Sequence, residues 1–181
     1  GWGERSLPHM TAQIVHGLLL ERKAAVEVPD ELLQPGINWL LRYQEEEVRR
    51  LKLKAGDTDY KPFARHMDAL VFKVLCESSV KNYNAEMSDF LFRDKKMLSN
   101  YAKALFAYGE WEYLKATGAT DYAADSKFAE LLRNLRQFVV KDSENQTAWL
   151  EINPSWSWYW YGDVNETQAI FLQLLVESGA D

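Results

Sequence analysis

Helical periodicity runs through most of this 181-residue chain and constrains its fold more than any other feature. Apolar residues recur every three to four positions in segments at about 8–25, 30–53, 62–80, 85–97, 99–118, 123–140 and 164–178. Such spacing is typical of amphipathic helices that bury one face against a shared core. The chain is therefore predicted to adopt an all-α fold.

The predicted inner stripes of the first two helices follow this spacing. They are Thr11, Ile14, Val15, Leu18 and Leu19 in the first helix, and Ile37, Leu40, Leu41, Val48 and Leu51 in the second. Asp30 stands where an N-cap residue would begin the second helix. The EEEVRR segment of that helix places glutamates three to four residues before arginines, which is typical of a solvated face.

The helical segments also alternate in kind. The first, third, fifth and seventh are short, apolar nearly all round and rich in small residues, whereas the second, fourth and sixth each have one charged face. Ala102, Ala104, Ala107 and Gly109 in the fifth should let neighbouring helices approach closely. This alternation is expected where outer helices surround inner ones in stacked α-hairpins. It predicts a partial α/α toroid of about three and a half α-hairpins.

One stretch near the end does not follow the helical pattern. TAWLEI and WSWYWY each alternate, and NPS supplies turn residues between them, so we predict a short β-hairpin at 146–161. Six of the thirteen residues from Trp149 to Tyr161 are aromatic, which requires a core, a cleft or a docking surface. We expect an interdomain or partner surface here, formed by Trp156, Trp158, Trp160 and Tyr161.

Composition excludes several classes of function. The formal net charge of −6 argues against nucleic acid and anionic membranes as partners. Apolar runs are only a few residues long, so we expect no membrane insertion by this segment. The single cysteine, Cys76, excludes an internal disulfide and is interpreted as a core residue because it lies late in an apolar helix.

The histidines do not form a metal-binding motif. His9 and His16 are seven residues apart, and neither they nor His66 has a cysteine or carboxylate at metal-ligand spacing. Structural, hydrogen-bonded roles are the favoured interpretation. The sequence also contains no phosphate loop, nucleophile elbow or dinucleotide fingerprint, so we predict no catalytic, cofactor or metal site.

Four carboxylates near the aromatic run offer an enzymatic alternative. Asp142, Glu144, Asp163 and Glu166 flank the tryptophans, and a glycosidase would pair two acids beside such a surface. The favoured interpretation is structural, because Asp163 with Glu166 three residues later resembles a capping box at the start of the seventh helix. Caps are far commoner than catalytic pairs.

Three segments carry a family resemblance: GWGERSLPHMTAQIVHGLLLE, INWLLRYQ and WYWYGDVNETQAIFLQLL. They resemble the thioester-containing, complement-like helical domain of the bacterial alpha-2-macroglobulin family. The matching features are a Gly1-Trp2 turn before a Thr11-Ala12 pair, and the aromatic-Gly-x-x-x-Glu-Thr-x-Ala pattern at 161–169. These motifs are structural signatures of an α/α toroid and carry no catalytic residue.

The resemblance implies a protease trap, in which cleavage of a bait segment elsewhere in a large protein triggers rearrangement and a Cys–Gln thioester captures the attacker. That thioester motif, Cys-x-Glu-Gln, is absent, since Cys76 is followed by Glu77-Ser78-Ser79. We therefore expect residues 1–181 to be a single domain belonging to a larger toroid, without catalysis of its own. The implied location is the cell envelope, either periplasmic or secreted. The implied partners are neighbouring domains of the same protein and target proteases.

Two alternatives stay open. One is an enzyme on the same fold, such as a glycosidase or a terpenoid cyclase, using acids beside the aromatic run. The other is a helical scaffold for protein partners, which a broad exposed apolar face would favour.

Overall fold

The architecture was determined from a computed structural model that describes residues 6–119, 126–137, 139–142, 147–150, 170–176 and 179. These residues form a helical fold, as predicted. The helices are α1 (Leu7–Lys23), α2 (Asp30–Lys52), α3 (His66–Ser78), α4 (Ala85–Arg93), α5 (Asn100–Ala116), α6 (Ser126–Arg136) and α7 (170–176). Short 3-10 turns at Val80–Asn82 and Lys95–Met97 follow α3 and α4.

Local sequence explains where several helices begin. Pro8 lies in the first turn of α1, where a missing N–H group costs nothing. The Asn84 side chain accepts a hydrogen bond from the backbone of Met87 and caps α4, and the Ser99 hydroxyl does the same for α5 through Ala102. The predicted cap of α2 is wrong, because Asp30 is the first helical residue and Pro29 holds the cap position.

Helices α3 and α5 form the centre of the molecule. In α3 every residue from Asp68 to Cys76 is buried, and α5 is buried along most of its length. The two helices approach each other closely at Gly109 of α5, where an added Cβ would lie 2.6 Å from the Phe72 ring of α3. The prediction that small residues in the fifth helix permit close packing is therefore confirmed.

The other helices surround this pair. Helix α1 packs on α3 and α2, and α6 packs on α5. Gly36 of α2 faces Val15 of α1, and a Cβ added at Gly36 would lie 2.6 Å from a methyl group of Val15. Trp111 of α5 stacks on Phe128 of α6, with ring centroids 5.3 Å apart. Buried residues from each of the helices α1 to α7 belong to one hydrophobic core.

The predicted stripe of α1 is wrong at one important position. Val15 and Leu19 are buried as expected, but Ala12 takes the central place and Ile14 is 61% exposed. The buried face of α1 is therefore rotated away from the predicted one. The periodicity alone could not distinguish the two faces, because this helix is apolar on both.

The predicted hairpin at 146–161 is not confirmed. Thr147–Leu150 pairs antiparallel with Val139–Asp142, so that Val139 lies opposite Leu150. The sequence had placed residues 139 and 140 at the end of the sixth helix, which ends at Arg136 instead. Consecutive β-branched valines favour a strand over a helix end. Residues 151–161 lie outside the described part of the chain.

Candidate functional site

The surface predicted from the aromatic run cannot be placed in this structure. Trp156, Trp158, Trp160 and Tyr161 all lie outside the described residues. Of the four carboxylates of the enzymatic alternative, Asp142 ends the first strand, whereas Glu144, Asp163 and Glu166 also fall outside the described ranges.

Helix α1 carries the most distinctive surface among the described residues. Leu7, Met10 and Ile14 are 59%, 45% and 61% exposed, and they lie opposite the buried Ala12. Gly17 continues the row, and no atom comes within 4 Å of where its Cβ would be. We call these four residues the α1 outer face. Their 3-4-3 spacing keeps them on one side of the helix.

This outer face is uncharged as well as apolar. Between Leu7 and Leu20, α1 contains no Asp, Glu, Lys or Arg. Exposed apolar side chains are common singly, but an aligned row without an intervening charge is typical of a protein contact surface.

Exposure of large apolar side chains distinguishes the terminal helices from the central ones. Among the described residues, none of the large hydrophobic side chains in α3 or α5 is exposed, whereas α7 has Leu172 and Val176 exposed. Helix α3 packs against both α1 and α5. Helices α1 and α7 therefore carry exposed apolar side chains, whereas α3 and α5 bury theirs.

A buried ionic cluster joins α2, α3 and the loop between them. Lys61 of the loop donates hydrogen bonds to Glu47 of α2 and to Asp68 of α3, and all three side chains are buried. The expectation that the EEEVRR segment is wholly solvated is wrong at Glu47, which is 6% exposed. Glu46 and Arg49 do lie at the surface and pair with each other there.

Burial raises the pKa of Asp68, although the Lys61 ammonium opposes that rise. Asp68 Oδ2 accepts hydrogen bonds from Lys61 and from the backbone N–H of Arg65, each at 2.7 Å. Its other oxygen, Oδ1, is buried and accepts no hydrogen bond from the described part of the chain. One ammonium shared by two buried carboxylates ties the loop to both helices, and Arg50 of α2 also pairs with Glu47.

A second buried ion pair fixes α1 to α3. Glu77 Oε1 lies 2.6 Å from Lys73 Nζ and 3.1 Å from His16 Nδ1 of α1. Burial would raise the pKa of Glu77, but the hydrogen bond with His16 and the charge of Lys73 outweigh it, so the pKa is lowered. His16 thus has a hydrogen-bonded role between two helices.

The histidines do not converge. His66 begins α3, and burial lowers its pKa, with further contributions from Arg65 and from His9 of α1. His16 instead contacts Glu77, near the other end of α3. Within the described ranges, no group of three His, Cys, Asp or Glu residues is arranged to hold a metal ion.

A third polar network surrounds Glu110 in the interior. Ser88 and Tyr83 both donate to its carboxylate, with the tyrosine oxygen 3.2 Å from each carboxylate oxygen. Lys127 of α6 donates to the Ser88 hydroxyl at 3.1 Å and to Asp89 at 2.5 Å. A serine, a lysine and a carboxylate in succession suggest nucleophilic catalysis, but Ser88 is completely buried and no substrate can reach it.

Cys76 is also a core residue, as predicted. It is buried on α3, and burial raises the pKa of its thiol, with Glu110 the next contribution. A thiol in this setting is not a reactive nucleophile at neutral pH.

One open depression of about 240 Å³ lies beside the C-terminal part of α2 and the start of α4. Its two cationic residues pair with carboxylates of the chain, since Lys52 contacts Glu86 and Arg49 contacts Glu46.

Comparison of the chain with protein-family models, curated proteins and solved structures gave no match. In the part of the chain that the structure describes, no helix is long and apolar enough to cross a bilayer. The function must therefore be inferred from the residues themselves.

Sequence reasoning did not identify the α1 outer face, although a signal for it existed. The segment from Leu7 to Leu20 is apolar on more than one side and contains no charge. A helix that is apolar on all sides is usually buried on all sides. Because α1 is buried on only one side, its other side is a candidate contact surface.

Proposed function

We propose that this chain is a non-catalytic helical module that acts by packing against other protein surfaces. In its specific form, it is part of the α/α toroid domain of a bacterial alpha-2-macroglobulin-like protease-trapping protein of the cell envelope. Its partners are then the neighbouring domains of that protein and, when the trap operates, a target protease.

The observation that carries the proposal is the difference in burial between alternate helices. The apolar helices α3 and α5 are buried almost throughout, whereas α2 and α4 bury one face and expose the other. This arrangement is expected of inner and outer helices in a toroid. The buried polar clusters of the described core are engaged in holding helices together, which supports a structural role.

A separate observation supports the general form of the proposal, in which the chain is a helical scaffold for protein partners. The α1 outer face is a row of exposed apolar residues of the kind found at protein contacts. This surface would support a scaffold even if no trap exists.

Protease trapping can be tested with the complete protein that contains this chain. After incubation with each of several endopeptidases, a trap leaves hydrolysis of a small peptide substrate intact but blocks degradation of a large protein substrate. We expect this separation, together with co-elution of the protease and the trap on gel filtration. Equal loss of both activities, or of neither, would rule out trapping.

The enzymatic alternative needs a separate experiment. Replacing Asp163 and Glu166 together with Asn and Gln would abolish a glycosidase or cyclase activity that used them as its acids. On the proposed structural role, the same change weakens only the start of a helix, so trapping by the complete protein is retained.

A further inference from the structure

We propose that the buried side chains of Lys61 and Asp68 condense into an amide, so that a covalent bond joins the loop to α3, with Glu47 as the proton carrier. This inference goes beyond the proposed function and does not depend on it. It rests on the geometry, the burial and the charge of these three residues.

The reacting groups are already in contact. Lys61 Nζ lies 2.7 Å from Asp68 Oδ2 and also donates a hydrogen bond to Glu47. The carboxyl carbon of Asp68, Cγ, is one bond beyond Oδ2, so the lysine nitrogen is about 3–4 Å from the carbon that it would attack. Reacting atoms held at about this separation can have an effective concentration on the order of 10⁵ M or more.

Hydrogen bonds outside the cluster hold each partner in place. The backbone N–H of Arg65 donates to Asp68 Oδ2 at 2.7 Å. The backbone N–H of Lys61 donates to the carbonyl of Arg50 at 3.3 Å, and the guanidinium of Arg50 donates to the Glu47 carboxylate. The three side chains are therefore oriented before any bond forms.

Burial favours the neutral amide over the ion pair. The side chains of Lys61, Glu47 and Asp68 are each more than nine-tenths buried. In water, hydration stabilises an ammonium and a carboxylate against condensation, but a buried site removes most of that hydration. Burial also raises the pKa of Asp68, although the Lys61 ammonium opposes the rise. A raised pKa favours the protonated carboxyl group, which is the form that an amine can attack.

The reaction balances without an external reagent. The Lys61 ammonium gives one proton to Asp68 Oδ2 along their hydrogen bond, and the neutral amine attacks Cγ. Glu47 takes a second proton from the lysine nitrogen and passes it to the departing oxygen. The Nζ–Cγ bond forms, the Cγ–Oδ2 bond breaks, and one water molecule leaves. Glu47 regains its negative charge and keeps Arg50 as its cationic partner.

The ion pair between Lys73 and Glu77 provides an internal comparison. It is also buried, with 2.6 Å between the nitrogen and the oxygen, but its third member is His16 and not a second carboxylate. The pKa of Glu77 is lowered, so this group stays in the ionised form that an amine does not attack. We therefore expect an amide at Lys61 and none at Lys73.

Mass spectrometry of the 181-residue chain tests the bond. The folded chain is incubated at neutral pH and then denatured, and we expect its mass to be lower than the sequence mass by one water molecule. Trypsin should release residues 55–65 and 66–73 as one branched peptide, because the first segment contains Lys61 and the second contains Asp68. An intact mass equal to the sequence mass would overturn the inference. So would a loss of water in which these two segments are released separately.

Three variants test the role of each group. Lys61→Arg keeps the cation but removes the nucleophilic amine, and Asp68→Ala removes the carboxyl group, so neither should lose water. Glu47→Gln keeps both reacting groups and should slow the loss of water at least about tenfold, because the amide cannot carry the proton. Glu46→Gln is the matched control on the exposed face of the same helix and should react at the wild-type rate.

The wild-type mass decides whether the bond forms even where a variant fails to fold, which circular dichroism of each variant would reveal. Loss of water that persists in folded Lys61→Arg or Asp68→Ala would overturn the proposed bond. An unchanged rate in folded Glu47→Gln would overturn the role of Glu47 as the proton carrier.

Discussion

Lys61 and Asp68 form a buried ion pair, with 2.7 Å between Nζ and Oδ2, although one lies in a loop and the other on α3. The same ammonium also donates to Glu47 on α2. Glu47 also pairs with Arg50 of its own helix, whereas Lys61 is the cation shared by both buried carboxylates. Lys61 therefore links the loop from 53 to 65 to both helices.

Lys61→Met should destabilise the fold by about 3–5 kcal/mol at neutral pH, because it leaves the buried Asp68 without its cation and Glu47 with Arg50 alone. Urea denaturation followed by circular dichroism measures the change. Lys54→Met is the control, since it removes the same charge from an exposed position of the same loop. A similar loss of stability in both variants would mean that overall charge, and not the buried cluster, explains the effect.

Glu77→Gln should reduce stability at neutral pH by about 3 kcal/mol, near the lower end for a broken buried ion pair because the amide can still accept hydrogen bonds. The pKa of Glu77 is lowered in the folded state. Its contribution is therefore present above the ordinary pKa of 4.5 and is lost as the pH falls through the lowered folded value.

The stability difference between the wild type and Glu77→Gln should accordingly shrink as the medium is made more acidic than about pH 4.5. Denaturant midpoints measured from neutral to acidic pH test this. A difference that stays constant over the whole range would show that packing, and not the charge of Glu77, accounts for the loss.

The helices were predictable from the sequence because apolar spacing and turn residues act locally. The role of Glu47 was not, since its neighbours Glu46 and Arg49 follow a surface pattern and its partner Lys61 comes from a separate loop. The exposed position of Ile14 was missed for a different reason. A helix that is apolar on both sides does not indicate which side its neighbours will cover.

Tyr83→Phe should cost about 1–2 kcal/mol, because the tyrosine hydroxyl donates to the buried Glu110 carboxylate and phenylalanine cannot. Its ring stacks on Tyr113, with centroids 3.8 Å apart, and phenylalanine can keep that contact. Tyr113→Phe is the matched control and should change stability by less than about 0.5 kcal/mol. Equal effects in thermal unfolding would contradict a specific role for the Tyr83 hydroxyl.

Gly17→Ala and Gly109→Ala should have opposite effects, although both replace a glycine inside a helix. Alanine favours a helix by about 1 kcal/mol over glycine, and at Gly17 nothing opposes that gain. At Gly109 the new methyl group would lie 2.6 Å from the Phe72 ring, which is fully buried and cannot move aside without disturbing the α3–α5 contact. Overpacking of this kind costs about 1–3 kcal/mol, so Gly109→Ala should be destabilising overall. Urea denaturation followed by circular dichroism measures both variants. Stabilisation by both would mean that the α3–α5 contact adjusts readily and that close packing at Gly109 is not essential to the fold.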